Sequence, residues 1–189
     1  MEVQRVLKTH MKAALCGLLI LAACPALFAQ KLPLIEAWGG YSHLRYEAKP
    51  LGFSDQLDLN GWNGGVSLPD LYQGFGIAAD VSGHYTKPME VFNFLVGPQY
   101  SYQWKGVRPY GHLLIGKARV RLRQLGASTQ FEPSDLARSV AFGGGLDVPF
   151  TSRVWIRVVQ ADYMITSNFG GTQHDVRLST GVIVRFGKR

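Results

Sequence analysis

The sequence predicts an all-β chain: an eight-stranded antiparallel up-and-down β-barrel. Three observations predict it. Eight runs of about ten to fourteen residues alternate with period two, and no helical periodicity persists between them. The connections between the runs alternate short and long. The even count of runs returns the chain to the end where it started, so the last strand can close against the first.

The first run is "LIEAWGGYSHLR", 34–45. It is followed by "LNGWNGGVSL", 59–68, "GFGIAADVSGHY", 74–85, and "VFNFLVGPQYSYQW", 91–104. The second half is "RPYGHLLIGKARVR", 108–121, "ARSVAFGGGLDVPF", 137–150, "RVWIRVVQADYMIT", 153–166, and "DVRLSTGVIVRF", 175–186. Short connections are "PDLYQ", "KGV" and "TS"; the longer ones are 46–58, 122–136 and 167–174, with 86–90 the exception among them. If the first strand runs outward, the short turns share the periplasmic side of an outer membrane, as bacterial barrels require.

The faces decide between a soluble and a membrane barrel. In the fourth run Phe92, Phe94, Val96, Pro98, Tyr100, Tyr102 and Trp104 oppose Asn93, Leu95, Gly97, Gln99, Ser101 and Gln103. The third and sixth runs repeat this, with aromatics at the ends of the apolar faces, where interfacial girdles belong. The opposite faces are small or polar, rich in Gly and poor in Lys. That suits the crowded interior of eight strands better than bulk water. The expectation is a transmembrane barrel with its apolar faces outward. Pro98 removes a ladder hydrogen bond and is expected at a bulge or near a rim.

A targeting segment precedes the barrel. Arg5, Lys8 and Lys12 lead into the apolar run 13–23 and then "CPALFAQ". This reads as a signal peptide over 1–29, cleaved after Ala29, with the barrel domain over 30–189. The run Leu21-Ala22-Ala23-Cys24 also resembles a lipoprotein box, although an apolar "PALFAQ" follows it instead of a polar tether. Cys16 and Cys24 are the only cysteines. A chain cut after Ala29 therefore has no disulfide and no thiolate metal site. The chain carries a net charge of +7, of which the first 29 residues hold +2. No run of like charge is present, which excludes a nucleic-acid footprint.

Inside a barrel this narrow, buried charges must be paired. The expected lumen network is Glu36, Asp80, Asp147 and Asp162 with Lys117, Arg119, Arg157, Arg177 and Arg185. Arg157 and Asp162 are five apart, so strict alternation would separate them. A β-bulge near Val158–Val159 would bring Arg157, Gln160 and Asp162 inward together; the alternative is an Arg157 that snorkels at the rim. Glu36 is the first partner expected for the arginines of the last strand.

The last run carries Ser179-x-Gly181-x-x-Val184-x-Phe186, which resembles the C-terminal assembly signal of outer-membrane barrels, except that "GKR" follows the aromatic. "GGYSHLR", "GPQYSY", "RPYGHLLIGKAR", "GGGLDV" and "IRVVQADY" complete a resemblance, spread over six of the eight runs, to the small OmpA/OmpX-like outer-membrane barrel family. The resemblance implies an outer-membrane location and lipid contact. It also implies assembly by the barrel-assembly machinery through Ser179, Gly181, Val184 and Phe186. A monomer without cofactor is expected, and any extracellular partner would meet the loops.

The expected role is structural or adhesive, a plugged barrel presenting 46–58, 122–136 and 167–174. The alternatives are a narrow porin-like channel and a soluble exported lipocalin-like barrel with an apolar ligand. An enzyme is not expected. His43 follows Ser42 directly and faces the other way, and His84 with Ser82 and Asp80 reads as polar packing. His112 and His174 lack partners at metal-ligand spacing.

Overall fold

The eight runs fold into eight strands in a computed structural model, which describes residues 33–47, 57–87, 89–122, 135–168 and 171–187. The signal-peptide reading of 1–29 and the Cys24 alternative fall outside these residues. The strands are β1 (Ile35–Tyr46), β2 (Leu57–Tyr72), β3 (Phe75–Thr86), β4 (Met89–Ser101), β5 (Arg108–Leu122), β6 (Asp135–Pro149), β7 (Val154–Asn168) and β8 (Gly171–Phe186). Each pairs antiparallel with the next, and β8 closes on β1 with Glu36 opposite Arg185 and Gly40 opposite Gly181. Closure leaves no edge strand. Every strand has at least 12 residues, more than the ~9–11 that cross a bilayer when tilted.

The two ends of the barrel differ. At the turn end, β2 and β3 meet through Gln73 and Gly74 (φ 49° and 88°), and the β4–β5 hairpin turns on Lys105 and Gly106 (φ 44° and 86°). Two successive positive φ values make tight hairpin turns whose twist matches the strands. Trp104 and Val107 close the second turn with reciprocal 2.8 Å hydrogen bonds. Thr151 shapes the third, its Oγ1 accepting the Val154 N–H at 2.9 Å. The other end, here the loop end, carries the connections 47–56, 87–88, 123–134 and 169–170.

One expectation about connections needs correction. The segment 167–174 is not a presented loop: Ser167 pairs with Thr172 and Asn168 with Gly171, and Gln173 and Asp175 are buried. Polar composition suggested a loop, but polar residues line the lumen here. Pro98 takes the rim placement of the two expected, three residues before the turn end of β4, and not a bulge. Val96 pairs with Ile115 and Gln99 with His112 in the same register, so the chain tolerates a gap in the β4–β5 ladder with no residue inserted.

The bulge in β7 is real. Arg157 lies opposite Gly181 and Gln160 opposite Ser179, so Val158 and Val159 together face Thr180. Both valines are exposed, while Arg157, Gln160 and Asp162 are buried. Thr180 Oγ1 donates to the Arg157 carbonyl at 2.9 Å across the bulge.

The polarity of the barrel is inverted relative to a soluble one. Exposed positions include Val66, Ile77, Val81, Phe94, Val96, Leu113, Ile115, Phe142, Leu178 and Val182. Aromatics gather at the turn end, among them Phe75 and Tyr100 with ring centroids 4.8 Å apart, Trp104, Phe150 and Phe186. An apolar outside contradicts the lipocalin-like alternative, which needs those faces inside. The interior also differs from the purely polar one expected. Toward the loop end Leu44, Leu59, Met89, Val91 and Val120 are buried, each 3% exposed or less, and form an apolar plug.

A charged network across the lumen

Three devices aim the lumen side chains. Alternation places even positions of β1, β3 and β5 and odd positions of β2, β4, β6 and β8 inward. The β7 bulge shifts the phase of its second half. Glycine opens the space: a Cβ on Gly143 would lie 2.4 Å from Asp162 Oδ1, and one on Gly145 would lie 2.7 Å from the Tyr110 hydroxyl. The "GGG" of β6 is thus a recess in the wall that the network fills.

The turn-end cluster is centred on Arg108. Its guanidinium donates to both oxygens of Glu36, at 2.6 and 2.7 Å, and to Asp147 Oδ2 at 2.8 Å. β5 and β1 are four strands apart in a ring of eight, so this fork–fork pair crosses the lumen. Arg185 adds an ion pair to Glu36 Oε1 at 2.9 Å, and Arg157 Nε donates to Asp147 Oδ1 at 3.0 Å. Aromatic faces complete the cage. The Trp155 ring lies 4.9 Å from Arg108 and 4.4 Å from Arg185, and Arg157 stacks on Trp38 and Tyr110 at 4.8 and 4.5 Å.

The central cluster is organised by Arg177. It donates to Asp162 Oδ2 at 2.7 and 2.9 Å, to Asp80 Oδ1 at 2.6 Å and to Ser82 Oγ at 3.1 Å. His112 Nε2 lies 2.7 Å from Asp162 Oδ1. Gln160 joins the two clusters. Its Oε1 accepts from Arg157 at 2.8 Å and from Tyr110 at 2.9 Å, while its Nε2 donates to Asp162 at 2.7 Å. At the loop end Tyr46 donates to Gln173, and Asp175 accepts the Glu47 backbone N–H at 2.9 Å.

Of the expected network, Glu36, Asp80, Asp147, Arg157, Asp162, Arg177 and Arg185 are together inside the barrel. Lys117 and Arg119 are not; both are exposed on the outside of β5. The phase of β5 is fixed by Arg108, Tyr110 and Leu114, which face in, and positions 117 and 119 have the opposite parity. Arg108 is the residue that sequence reasoning missed. Its signal was its position two before Tyr110, in the same phase as Leu114. Of the expected assembly residues, Ser179 and Gly181 sit on the inner side of β8, and Val184 and Phe186 face outward.

The histidines give no catalytic arrangement among the described residues. Ser42 Oγ is 2.8 Å from His84 Nε2 and 3.0 Å from Ser179 Oγ, but His84 Nδ1 has no hydrogen-bond partner, so no acid orients the ring. His43 and His174 face outward, bonded to Asn60 at 3.0 Å and to Tyr163 at 2.8 Å. No group of three or more metal-ligating side chains occurs among the described residues.

No protein-family model and no curated protein matches the sequence. Solved structures do match. Neisserial surface protein A is 13% identical, with a TM-score of 0.61 over 80% of this chain and 97% of that one. The attachment invasion locus protein Ail of Yersinia pestis is 18% identical, with a TM-score of 0.55 over 82% and 99%. The N-terminal β-barrel domain of Pseudomonas aeruginosa OprF is 17% identical, with a TM-score of 0.50 over 83% and 100%. The Ail barrel has also been solved in complex with a heparin analogue, sucrose octasulfate. The chain therefore has the fold of the small, OmpA-like eight-stranded outer-membrane β-barrels.

Proposed function

We propose that this chain stands in a bacterial outer membrane as a plugged barrel whose role is structural and loop-presenting, and that it is not an enzyme. The observation that carries this reading is the inverted polarity. Arg108, Asp147, Asp80 and Arg177 are at most 1% exposed inside, while Phe94 and Ile115 are 57% and 59% exposed outside. Such an outside would be insoluble in water and is matched to lipid. The turn end lies in the periplasm and the loop end outside, which puts 47–56 and 123–134 where an external partner would meet them. The crossing of the lumen by Arg108 and Arg177, with the apolar plug above them, supports a closed interior. The Ail complex with a heparin analogue supports a search for an anionic external partner. Ser179, Gly181, Val184 and Phe186 would serve the assembly machinery as the exposed end of the last strand before closure.

The test is refolding of the chain. Extraction only with detergent and heat-modifiable gel migration are expected. Solubility of the folded chain without detergent would sink the membrane reading, and a change in lipid A mass in expressing cells would overturn the non-enzymatic one.

A second reading, a narrow channel, is favoured by one observation. Asn63, Ser67, Asp80, His84, Asn93 and Gln99, all on β2–β4, each hold a buried polar atom without a protein partner. Such a wall suits water. Conductance separates the two readings.

A further inference from the structure

Lys117 and Arg119, expected inside, are part of a cationic patch on the outside of the barrel. Lys117 on β5 and Arg138 on β6 are direct register partners, and Arg119 is two residues further along the same face. All three are exposed, and among the described residues none makes an ion pair or a hydrogen bond. Like charges directly opposite one another destabilise a sheet. The neighbours do not relieve it. Phe94 lies opposite Lys117, Phe92 opposite Arg119, and Ser167 opposite Arg138. The one acid on the adjoining face of β4, Glu90, lies opposite Arg121, further toward the loop end. The bias is local: Arg121, exposed two residues beyond Arg119, extends the patch along β5, whereas Arg45 on β1 is paired with Asp58, and Arg108, Arg157, Arg177 and Arg185 point into the lumen.

We propose that this triangle docks an anionic lipid whose headgroup carries phosphate. Directly opposite residues are ~5 Å apart and alternate residues on one strand ~6.6 Å apart, so phosphate oxygens can bridge the three cations. Beneath the triangle, toward the middle of the barrel, the same face continues as Leu113, Ile115 and Phe142, each 49–59% exposed. The site is charged above and apolar below, which is the profile of a lipid; a soluble anion would use only its upper half. The proposal rests on the membrane reading above, with the loop end outward.

The test uses the refolded chain in phosphatidylcholine nanodiscs doped with bisphosphorylated lipid A or with phosphatidylglycerol. Native mass spectrometry counts the lipids retained on the released barrel. Retention of either phosphate-bearing dopant at least tenfold above phosphatidylcholine is expected. Combined Lys117→Gln, Arg119→Gln and Arg138→Gln should abolish that preference, while Lys105→Gln with Arg153→Gln at the turn end should leave it intact. Equal retention in the triple variant, or no preference in the wild type, would overturn the site. So would a preference of the triangle for a sulfated oligosaccharide in solution over either lipid. Heat-modifiable migration is read on every sample. Insertion without lipid preference defeats the docking site alone, and failure of the wild type to insert defeats the membrane reading and the site with it.

Discussion

Arg108 on β5 holds both carboxylate oxygens of Glu36 on β1, at 2.6 and 2.7 Å, across the full width of the lumen. With Asp147 on its other side, this arginine ties three strands together at the turn end. Removing one partner of such a buried pair leaves an uncompensated charge, which costs about 3–5 kcal/mol. Arg108→Ala and Glu36→Ala are each expected to lower the unfolding free energy of the refolded barrel by that order, read from urea titration. Their double variant should lose less than the two losses added, which a double-mutant cycle reads.

The β7 bulge carries its own prediction. Deleting Val158 and Val159 together makes Arg157 and Gln160 adjacent, so strict alternation turns either Arg157 or the pair Gln160 and Asp162 outward. A lipid-facing arginine at depth costs about 2–4 kcal/mol. The deletion should reduce the heat-modifiable fraction sharply, whereas Val159→Ala, which keeps the phase, should stay close to wild type.

Gly143 tests the recess. A larger side chain there meets Asp162 Oδ1 and the Ala161 carbonyl, with even a Cβ at 2.4 and 2.2 Å. Gly143→Val is expected to destabilise by at least the ~1–3 kcal/mol of an overpacked core. The unfolding midpoint in detergent checks it, with Gly111→Ala as the control: there a Cβ meets only the Gly143 carbonyl, at 3.6 Å.

The outside makes the opposite demand. Val96→Arg, in the apolar belt, should cost about 2–4 kcal/mol in bilayer-referenced unfolding. Arg45→Ala removes only an exposed 3.4 Å pair with Asp58 and should cost about 1 kcal/mol or less. Equal costs at the two sites would contradict a lipid-facing belt.

Much of this was legible from period two. The eight strands, the outward faces of β3, β4 and β6, and the β7 bulge follow from alternation and from the cost of an arginine in lipid. The phase of β5 did not, because both of its faces hold apolar residues: Tyr110 and Leu114 inside, Leu113 and Ile115 outside. A rule sending charges inward then misplaced Lys117 and Arg119 and overlooked Arg108. That rule fails near a rim, where the apolar belt ends and outward cations cost little. The apolar plug was hidden for a related reason. Leu44 and Leu59 look the same in sequence whether they meet lipid or one another across a narrow lumen.

The central claim is that the arginine ties and the apolar plug close the interior. Single-channel recording of the refolded wild-type chain in planar bilayers tests it most directly. A silent bilayer, with barrel insertion verified by heat-modifiable migration, is the expected result; steady ion steps, altered by Arg157→Ala, would contradict it.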